Sequence, residues 1–375
     1  MRLLTLFGTR PEIIRLSLIV RALDLHCDQL LVHTGQNSQD GLSGVFFREM
    51  GIRAPDFFLE VKSSTFSEQA ANILTRVDRV MADTSPDRVL ILGDTNSGLA
   101  SVVAARRGIP VYHLEAGNRC YDDRVPEEVN RRIIDHTSTI LMPYTNRSKD
   151  NLIREGISRE RIAVVGNPIF EVMNGFADQI EASDILSRLG LEAGGFFLVT
   201  AHRAENVDNA ERIKDLARGW DEIAARWKLP VIVSVHPRTA DRLDRYGLAP
   251  DSGLVRQLEP MGFFDFSKLE RNARCVITDS GTVQEECCIL RVRNVTARDT
   301  TERPETIECG SNVLAGVRPD AVTTAVDLVL RSRCDWDPPV EYLAANVAER
   351  VARIVAAPVV SAVSAGNTRF GNGPR

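Results

Sequence analysis

The sequence predicts an α/β protein with two doubly wound, Rossmann-like domains, on three observations. Short apolar runs alternate with longer amphipathic stretches, the alternation comes in two series that divide before residue 195, and the polar motifs fall just past the apolar runs. Strands that alternate with helices of ten or more residues make a parallel sheet covered on both faces. Such sheets bind ligands beyond the carboxyl ends of their strands, so two domains facing each other across a cleft is the expected architecture. A chain of 375 residues is also longer than the ~250 at which a single core stops growing.

In chain order, strands are predicted at Leu3–Phe7, Gln29–Val32, Arg88–Leu92, Val111–Leu114, Thr139–Met142 and Ile162–Val165. Helical patterns at Ile13–Leu25 and Phe66–Ala82 lie between them. These make an N-terminal domain over residues 1–168. The segment Gly166–Leu191 is mostly helical in pattern, and a second strand series follows at Phe196–Thr200, Val231–Val235, Cys275–Thr278 and Asn294–Ala297. It belongs to a C-terminal nucleotide-binding domain over 169–341, in which Ile213, Leu216, Trp220 and Ile223 mark a core-facing helix. An amphipathic helix at about 342–357, seen in the spacing from Tyr342 to Val355, is expected to cross back onto the first domain. The Gly-, Ser- and Pro-rich stretch 358–375 reads as a flexible tail.

Composition narrows the function. Apolar residues at 43% and charged residues at 26% describe an ordinary globular chain, and a net charge of −5 gives no global attraction for nucleic acid or an anionic membrane. No run reaches the ~18 apolar residues of a membrane span. The N-terminal apolar run passes into Gly8-Thr9-Arg10-Pro11, a turn and not a cleavage site, so a cytoplasmic location is expected. The seven cysteines have no C-x-x-C spacing and read as reduced thiols. No H-E-x-x-H pattern points to a metal and no G-x-G-x-x-G to a nicotinamide, so neither metal nor cofactor is expected.

The stretch His113–His136 carries the chemistry. Glu115 stands just past the strand Val111–Leu114, and Pro126 opens a helix whose first turn holds Glu127 and Glu128. Val129 and Ile133 are expected to give that helix its apolar side, with Arg119, Arg124, Arg131 and Arg132 around the carboxylates. Carboxylates beside arginines suit proton transfer on an anionic substrate, and equally a solvated acidic helix start. Gly8-Thr9-Arg10-Pro11-Glu12 opens the first helix, where free N–H groups, Arg10 and Arg15 could meet a phosphate. Asp94, after the strand Val89–Leu92, reads as a helix cap or a second carboxylate of the site. His202 and Arg203 follow Phe196–Val199, and His236 and Arg238 repeat the pattern one strand later. Ser280 and Gly281 open a helix suited to a pyrophosphate, with Glu286 one turn in, where it could accept from ribose hydroxyls.

Taken together, GTRPE, HTGQN at His33, GDTNS, HLEAGNRCYDDRVPEEVNRR, GNP at Gly166, TAHRAEN, HPRT, GFFDF at Gly262, TDSGTVQEE and RDTTERPE at Arg298 resemble the non-hydrolysing UDP-N-acetylglucosamine 2-epimerase family. The branch resembled in particular makes unusual sugars for bacterial polysaccharides from modified UDP-2-acetamido sugars. The resemblance implies a GT-B-like fold, a UDP-sugar substrate and a homodimer. It places the catalytic residues on Asp94, Glu115, Glu127 and His202, and the nucleotide contacts on Arg10, Phe266, Ser280, Gly281, Glu286 and Arg303. Arg15, with His202, is added as a cation for the UDP; it stands where many members carry Lys. The stretch Leu290–Asn294 lacks the Gly and Pro usual before the last strand of the family. The implied reaction is C2 epimerisation through loss and re-addition of UDP. The alternatives are a hydrolysing 2-epimerase, a GT-B glycosyltransferase or a non-catalytic UDP-sugar sensor.

Overall fold

The structure is a computed structural model that describes residues 1–35, 40–61, 63 and 65–358, the side chains of 40–43 aside. The expected tail beyond Pro358, and Gln36 and Asn37 of the His33 motif, lie outside the described residues. The chain forms two units, Met1–Val172 joined by the segment that begins at Ala344, and Met173–Leu343.

The first unit is built on six strands: β1 (Arg2–Phe7), β2 (Asp28–His33), β3 (Phe57–Phe58), β4 (Arg88–Leu92), β5 (Val111–Leu114) and β6 (Ile140–Met142). All pairs are parallel, in the order β3-β2-β1-β4-β5-β6. Central strands covered on both faces are mostly apolar, as Leu3, Leu4, Leu6 and Phe7 of β1 and Val89–Leu92 of β4 are here. The helix Val347–Ala356 packs on the helix Arg10–Asp24, and the Arg88 guanidinium donates to the Val355 carbonyl.

The second unit holds β7 (Phe197–Ala201), β8 (Val231–Val235), β9 (Val255–Leu258), β10 (Cys275–Thr278), β11 (Asn294–Thr296) and β12 (Asn312–Leu314). Its order β9-β8-β7-β10-β11-β12 repeats the first unit's pattern, so each sheet reverses direction once, at β1/β4 and at β7/β10. A doubly wound sheet opens its binding crevice at that reversal. Ile213, Leu216, Trp220 and Ile223 are buried in its core with Val199 and Val233.

Four sequence expectations are corrected. Ile162–Val165 forms no assigned strand: it makes one bridge, Leu141 to Ile162, and the Ala163 and Val165 amides donate to the Leu141 and Pro143 carbonyls. Edge strands β3, β9 and β12 were not expected; they are two to four residues long and leave side chains partly exposed, which erases the apolar signal. The helix expected from Tyr342 is two elements, a 3-10 turn Val340–Leu343 and the helix Val347–Ala356. Tyr342 packs with Cys288 and Trp336 in the second unit. Finally, Val129 and Ile133 are 45% and 39% exposed, and the helix Pro126–Thr137 buries Glu128, Asn130, Arg131, Ile134 and Asp135 instead.

The missing Gly before β11 also finds its place. Arg291 ends the helix Gly281–Leu290 at φ +56, the left-handed conformation that Gly usually supplies, and its guanidinium donates to the Trp336 carbonyl.

Candidate active site

In the first unit the motifs gather at the β1/β4 reversal and at the end of β5. Register pairs Leu92 with Leu114, and the Gly93 amide donates to the Leu114 carbonyl at 2.9 Å, so Gly93, Asp94 and Glu115 leave the sheet side by side. Glu115 adopts φ +71, a conformation that costs a residue with a Cβ of order 1 kcal/mol or more. Its side chain is held from three directions: Arg15 Nη1 at 2.6 Å and the Tyr144 hydroxyl at 3.1 Å donate to Oε2, and Asn118 Nδ2 donates to Oε1 at 3.2 Å. Arg15 is itself buried, so its guanidinium lies in this carboxylate cluster. Asp94 is partly exposed and pairs with buried Arg131, Nη2 to Oδ2 at 2.7 Å.

The helix start divides its two acids. Glu127 is half-buried, whereas Glu128 is fully buried and accepts from the Cys120 and Tyr121 amides, both at 3.0 Å. Burial pushes the Glu128 carboxyl up, but Arg131 and the Cys120 amide outweigh it and hold it below the usual range. Glu128 thus anchors the loop and Glu127 remains beside it. Arg10 sits at the start of the first helix with its guanidinium 5.8 Å from the Phe46 ring, and burial lowers its pKa.

Beneath these groups lies a buried ion network that sequence reading did not find. His113 Nε2 faces the Gly93 carbonyl and Nδ1 faces Asp135 Oδ1, each at 2.8 Å. Asp135 also accepts from the Gly117 amide at 3.2 Å and from Arg119 at 2.8 Å. Burial raises the Asp135 pKa, yet the hydrogen bond and charge of His113, with Arg119, bring it below its ordinary value. The network therefore ties the residue before Asp94 to the loop after Glu115. Only the polar residues at the buried i, i+4 positions Arg131 and Asp135 could have signalled it.

In the second unit the β7/β10 reversal sets the site. His202 follows β7 with its side chain 40% exposed, and Asp279 follows β10 with none of its own exposed. Asp279 accepts from the His202 amide at 3.0 Å, the Arg203 amide at 2.9 Å and Asn206 Nδ2 at 3.1 Å, which fixes the loop that presents the histidine. Ser280 stands at the N-cap position of the helix Gly281–Leu290, and a Cβ on Gly281 would lie 2.5 Å from Glu302 Oε1. Glu302 is bound by Arg298 Nη1 at 2.7 Å and Arg203 Nη2 at 3.3 Å. Arg303 pairs with Glu285. Glu286 is buried beside Glu270, whose carboxyl is pushed well up by burial and then by the Glu286 charge. Phe266 packs, half-buried, on the core of Leu198, Leu269 and Val276. His236 accepts from the Arg238 amide at 3.2 Å, and Arg238 turns to Asp208 at 3.1 Å. Asp279 and Glu302 were visible in sequence only as motif letters: the partners of Asp279 lie more than 70 residues away, and Glu302, four residues from Arg298, also reaches Arg203 across 99.

Among the described residues no group of three His, Cys, Asp or Glu side chains could hold a metal ion, and no helix is long and apolar enough to cross a membrane.

Each unit offers a distinct chemistry. The first unit supplies carboxylates fixed by arginines, suited to moving a proton; the second supplies a helix N-terminus with a histidine and arginines, suited to a phosphorylated ligand.

Residues 21–356 match the family model described as UDP-N-acetylglucosamine 2-epimerase. A Methanocaldococcus jannaschii protein of that name is 39% identical over 95% of this chain and 99% of its own length. The Pseudomonas aeruginosa UDP-2,3-diacetamido-2,3-dideoxy-D-glucuronate 2-epimerase is 36% identical over 86% of this chain and 90% of its own. The M. jannaschii crystal structure with UDP-GlcNAc and UDP superposes with a TM-score of 0.91, covering 95% of this chain and 99% of that one. A Neisseria meningitidis UDP-GlcNAc 2-epimerase bound to UDP-GlcNAc gives 0.86 at 26% identity, covering 95% and 99%.

Proposed function

Because the chain belongs to the UDP-N-acetylglucosamine 2-epimerase family, we propose that it inverts C2 of a UDP-2-acetamido sugar without net hydrolysis. The substrate is UDP-GlcNAc or a modified relative, such as the 2,3-diacetamido sugar named for the Pseudomonas enzyme. The observation that carries the reading is the pair Asp94 and Glu115 at the ends of adjacent strands, each bound to its own buried arginine.

A C2 proton on a 2-acetamido sugar has no neighbouring carbonyl to acidify it, so direct exchange is slow. Elimination avoids the problem: a carboxylate takes the C2 proton, the C1–O bond breaks, and its electron pair leaves with UDP. The result is a 2-acetamidoglucal, UDP and a protonated carboxyl. An acid on the opposite face then returns a proton to C2 while a UDP oxygen re-forms the bond at C1. Asp94, Glu115 and Glu127 supply this acid and base. Arg10, His202 and the Ser280–Gly281 helix start take the charge that gathers on departing UDP. Phe266, Glu286 and Arg303 complete the nucleotide contacts. Arg15 acts through Glu115, the group it holds.

The reading is tested by incubation with UDP-GlcNAc in deuterated water, read by proton NMR and mass spectrometry. Deuterium at C2 of recovered UDP-sugar, with no free sugar, is expected. Free 2-acetamido sugar matched by UDP would make the enzyme hydrolytic. No exchange with UDP-GlcNAc or with 2,3-diacetamido and 6-deoxy analogues would overturn the reading.

The seven free cysteines fit a reducing compartment, which supports a cytoplasmic site of action. The homodimer implied by family resemblance is checked by sedimentation equilibrium.

A further inference from the structure

Thr9 and Glu12 have the spacing of a capping box, in which the acid three residues after the N-cap folds back onto the N-cap amide. Capping needs one hydrogen bond from that acid, and Glu12 accepts four. Its Oε2 takes the Gly8 amide at 2.9 Å, the Thr9 amide at 2.7 Å and the Thr9 hydroxyl at 2.7 Å. Its Oε1 takes the Thr95 hydroxyl at 3.0 Å. That last contact lies outside the helix: Thr95 follows Asp94 in the loop after β4.

The topology explains the meeting. β1 and β4 are adjacent and parallel, with Leu6 opposite Ile91, so the loops that leave them emerge at the same end of the sheet. One loop carries Arg10 and the other Asp94. Glu12, 2% exposed, stands where they meet. The other side of the Asp94 loop is held by Asn130, whose Nδ2 donates to the Asp94 carbonyl at 3.1 Å and to Asn96 Oδ1 at 2.9 Å. The Glu12–Thr95 bond is the tether on the Arg10 side. A reacting carboxylate on a loop must be held to within about half an ångström, which side-chain tethers of this kind provide.

We propose that Glu12, acting through the Thr95 hydroxyl, is a positioning residue that sets the Asp94 carboxylate for proton transfer and fixes it relative to Arg10. This role rests on the epimerase reading above, and it goes beyond helix capping because the capping bonds and the Thr95 bond use different oxygens. The two can therefore be cut separately.

Thr95→Val removes the tether and keeps the cap; Thr95→Ser keeps the hydroxyl. The expected result for Thr95→Val is a kcat lower by roughly tenfold to a hundredfold, the scale of a small misplacement of reacting groups, with KM for the UDP-sugar within about twofold. Thr95→Ser is expected to regain most of the loss. Glu12→Gln, whose carbonyl can serve the amides while its NH2 donates to Thr95, retains more activity than Glu12→Ala. Amide hydrogen exchange is the second readout: Thr95→Val is expected to speed exchange at residues 94–96 without changing Gly8 and Thr9, whether or not a substrate turns over. Unchanged kcat and unchanged exchange in Thr95→Val, or equal damage in Thr95→Val and Thr95→Ser, would overturn the proposal. A wild-type enzyme that exchanges no C2 proton would instead overturn the epimerase reading, and the exchange data would still decide the tether.

Discussion

Arg131 spans two carboxylates: its Nη2 lies 2.7 Å from Asp94 Oδ2 and its Nη1 lies 3.0 Å from Glu128 Oε2. One buried guanidinium thus couples the loop after β4 to the first turn of the helix that carries Glu127. Removing it leaves buried Glu128 with only the part-exposed Arg132, whose Nη2 lies 3.1 Å from Oε1. Arg131→Gln is expected to destabilise the protein by about 3–5 kcal/mol in a denaturant titration and to cut turnover. Arg131→Lys, which keeps the charge and loses the fork, is expected to recover part of the stability and little of the turnover.

Glu115→Gln keeps the shape of the side chain and removes its basicity. Turnover, read as deuterium wash-in at C2, is expected to fall by roughly a hundredfold to ten-thousandfold, while calorimetric affinity for UDP stays within about twofold. Undiminished wash-in would remove Glu115 from the proton-transfer step.

Glu12 predicts a pH dependence of stability. Its carboxyl is pushed up to about 7 by burial, against the opposing hydrogen bonds of Thr9, Gly8 and Thr95. The unfolded value is lower, so between pH 4.5 and about 7 the folded state holds a proton that the unfolded state has released. The contribution of Glu12 to stability is therefore greatest below pH 4.5, falls as pH rises to about 7 and is flat above. In Glu12→Gln this slope is absent. The difference in unfolding free energy between wild type and variant is expected to change across that window by an amount on the order of 3 kcal/mol, measured by urea titration at several pH values.

Gly281→Ala places a Cβ 2.5 Å from Glu302 Oε1, and Glu302 cannot swing freely because Arg298 holds it at 2.7 Å. The helix start must shift to make room. UDP affinity by calorimetry is expected to fall at least roughly tenfold, with the circular dichroism spectrum retained, since overpacking of this kind costs about 1–3 kcal/mol. Unaltered affinity would separate this helix start from the nucleotide.

Much of this molecule was legible in its sequence because the central strands are buried on both faces. β1, β4, β5, β7, β8 and β10 read as largely apolar runs, and the motifs at their ends marked where Asp94, Glu115, His202 and Ser280 leave the sheets. Edge strands β3, β9 and β12 were hidden by their brevity and partial exposure. The face of the helix Pro126–Thr137 was misread because the burial rule assumes an apolar interior: here Glu128, Arg131 and Asp135 turn inward, Glu128 paired with Arg131 and Asp135 with His113 and Arg119, and Val129 and Ile133 are left outside. Charge partners were beyond reach for a different reason. Arg15 and Glu115 are separated by 100 positions, and nothing local to either residue states that they pair.

The first unit is begun by the N-terminus and closed by the helix Val347–Ala356, which returns to cover the helix Arg10–Asp24 after the whole second unit has been made. On a ribosome adding roughly 5–20 residues per second, the opening strands wait on the order of tens of seconds for their last neighbour. The unit synthesised first is thus the one finished last, and the second unit, encoded without interruption, can complete its own sheet while the first still lacks a wall. A stop codon at or before position 347 would strike the domain that holds Asp94 and Glu115, although their own codons lie far upstream.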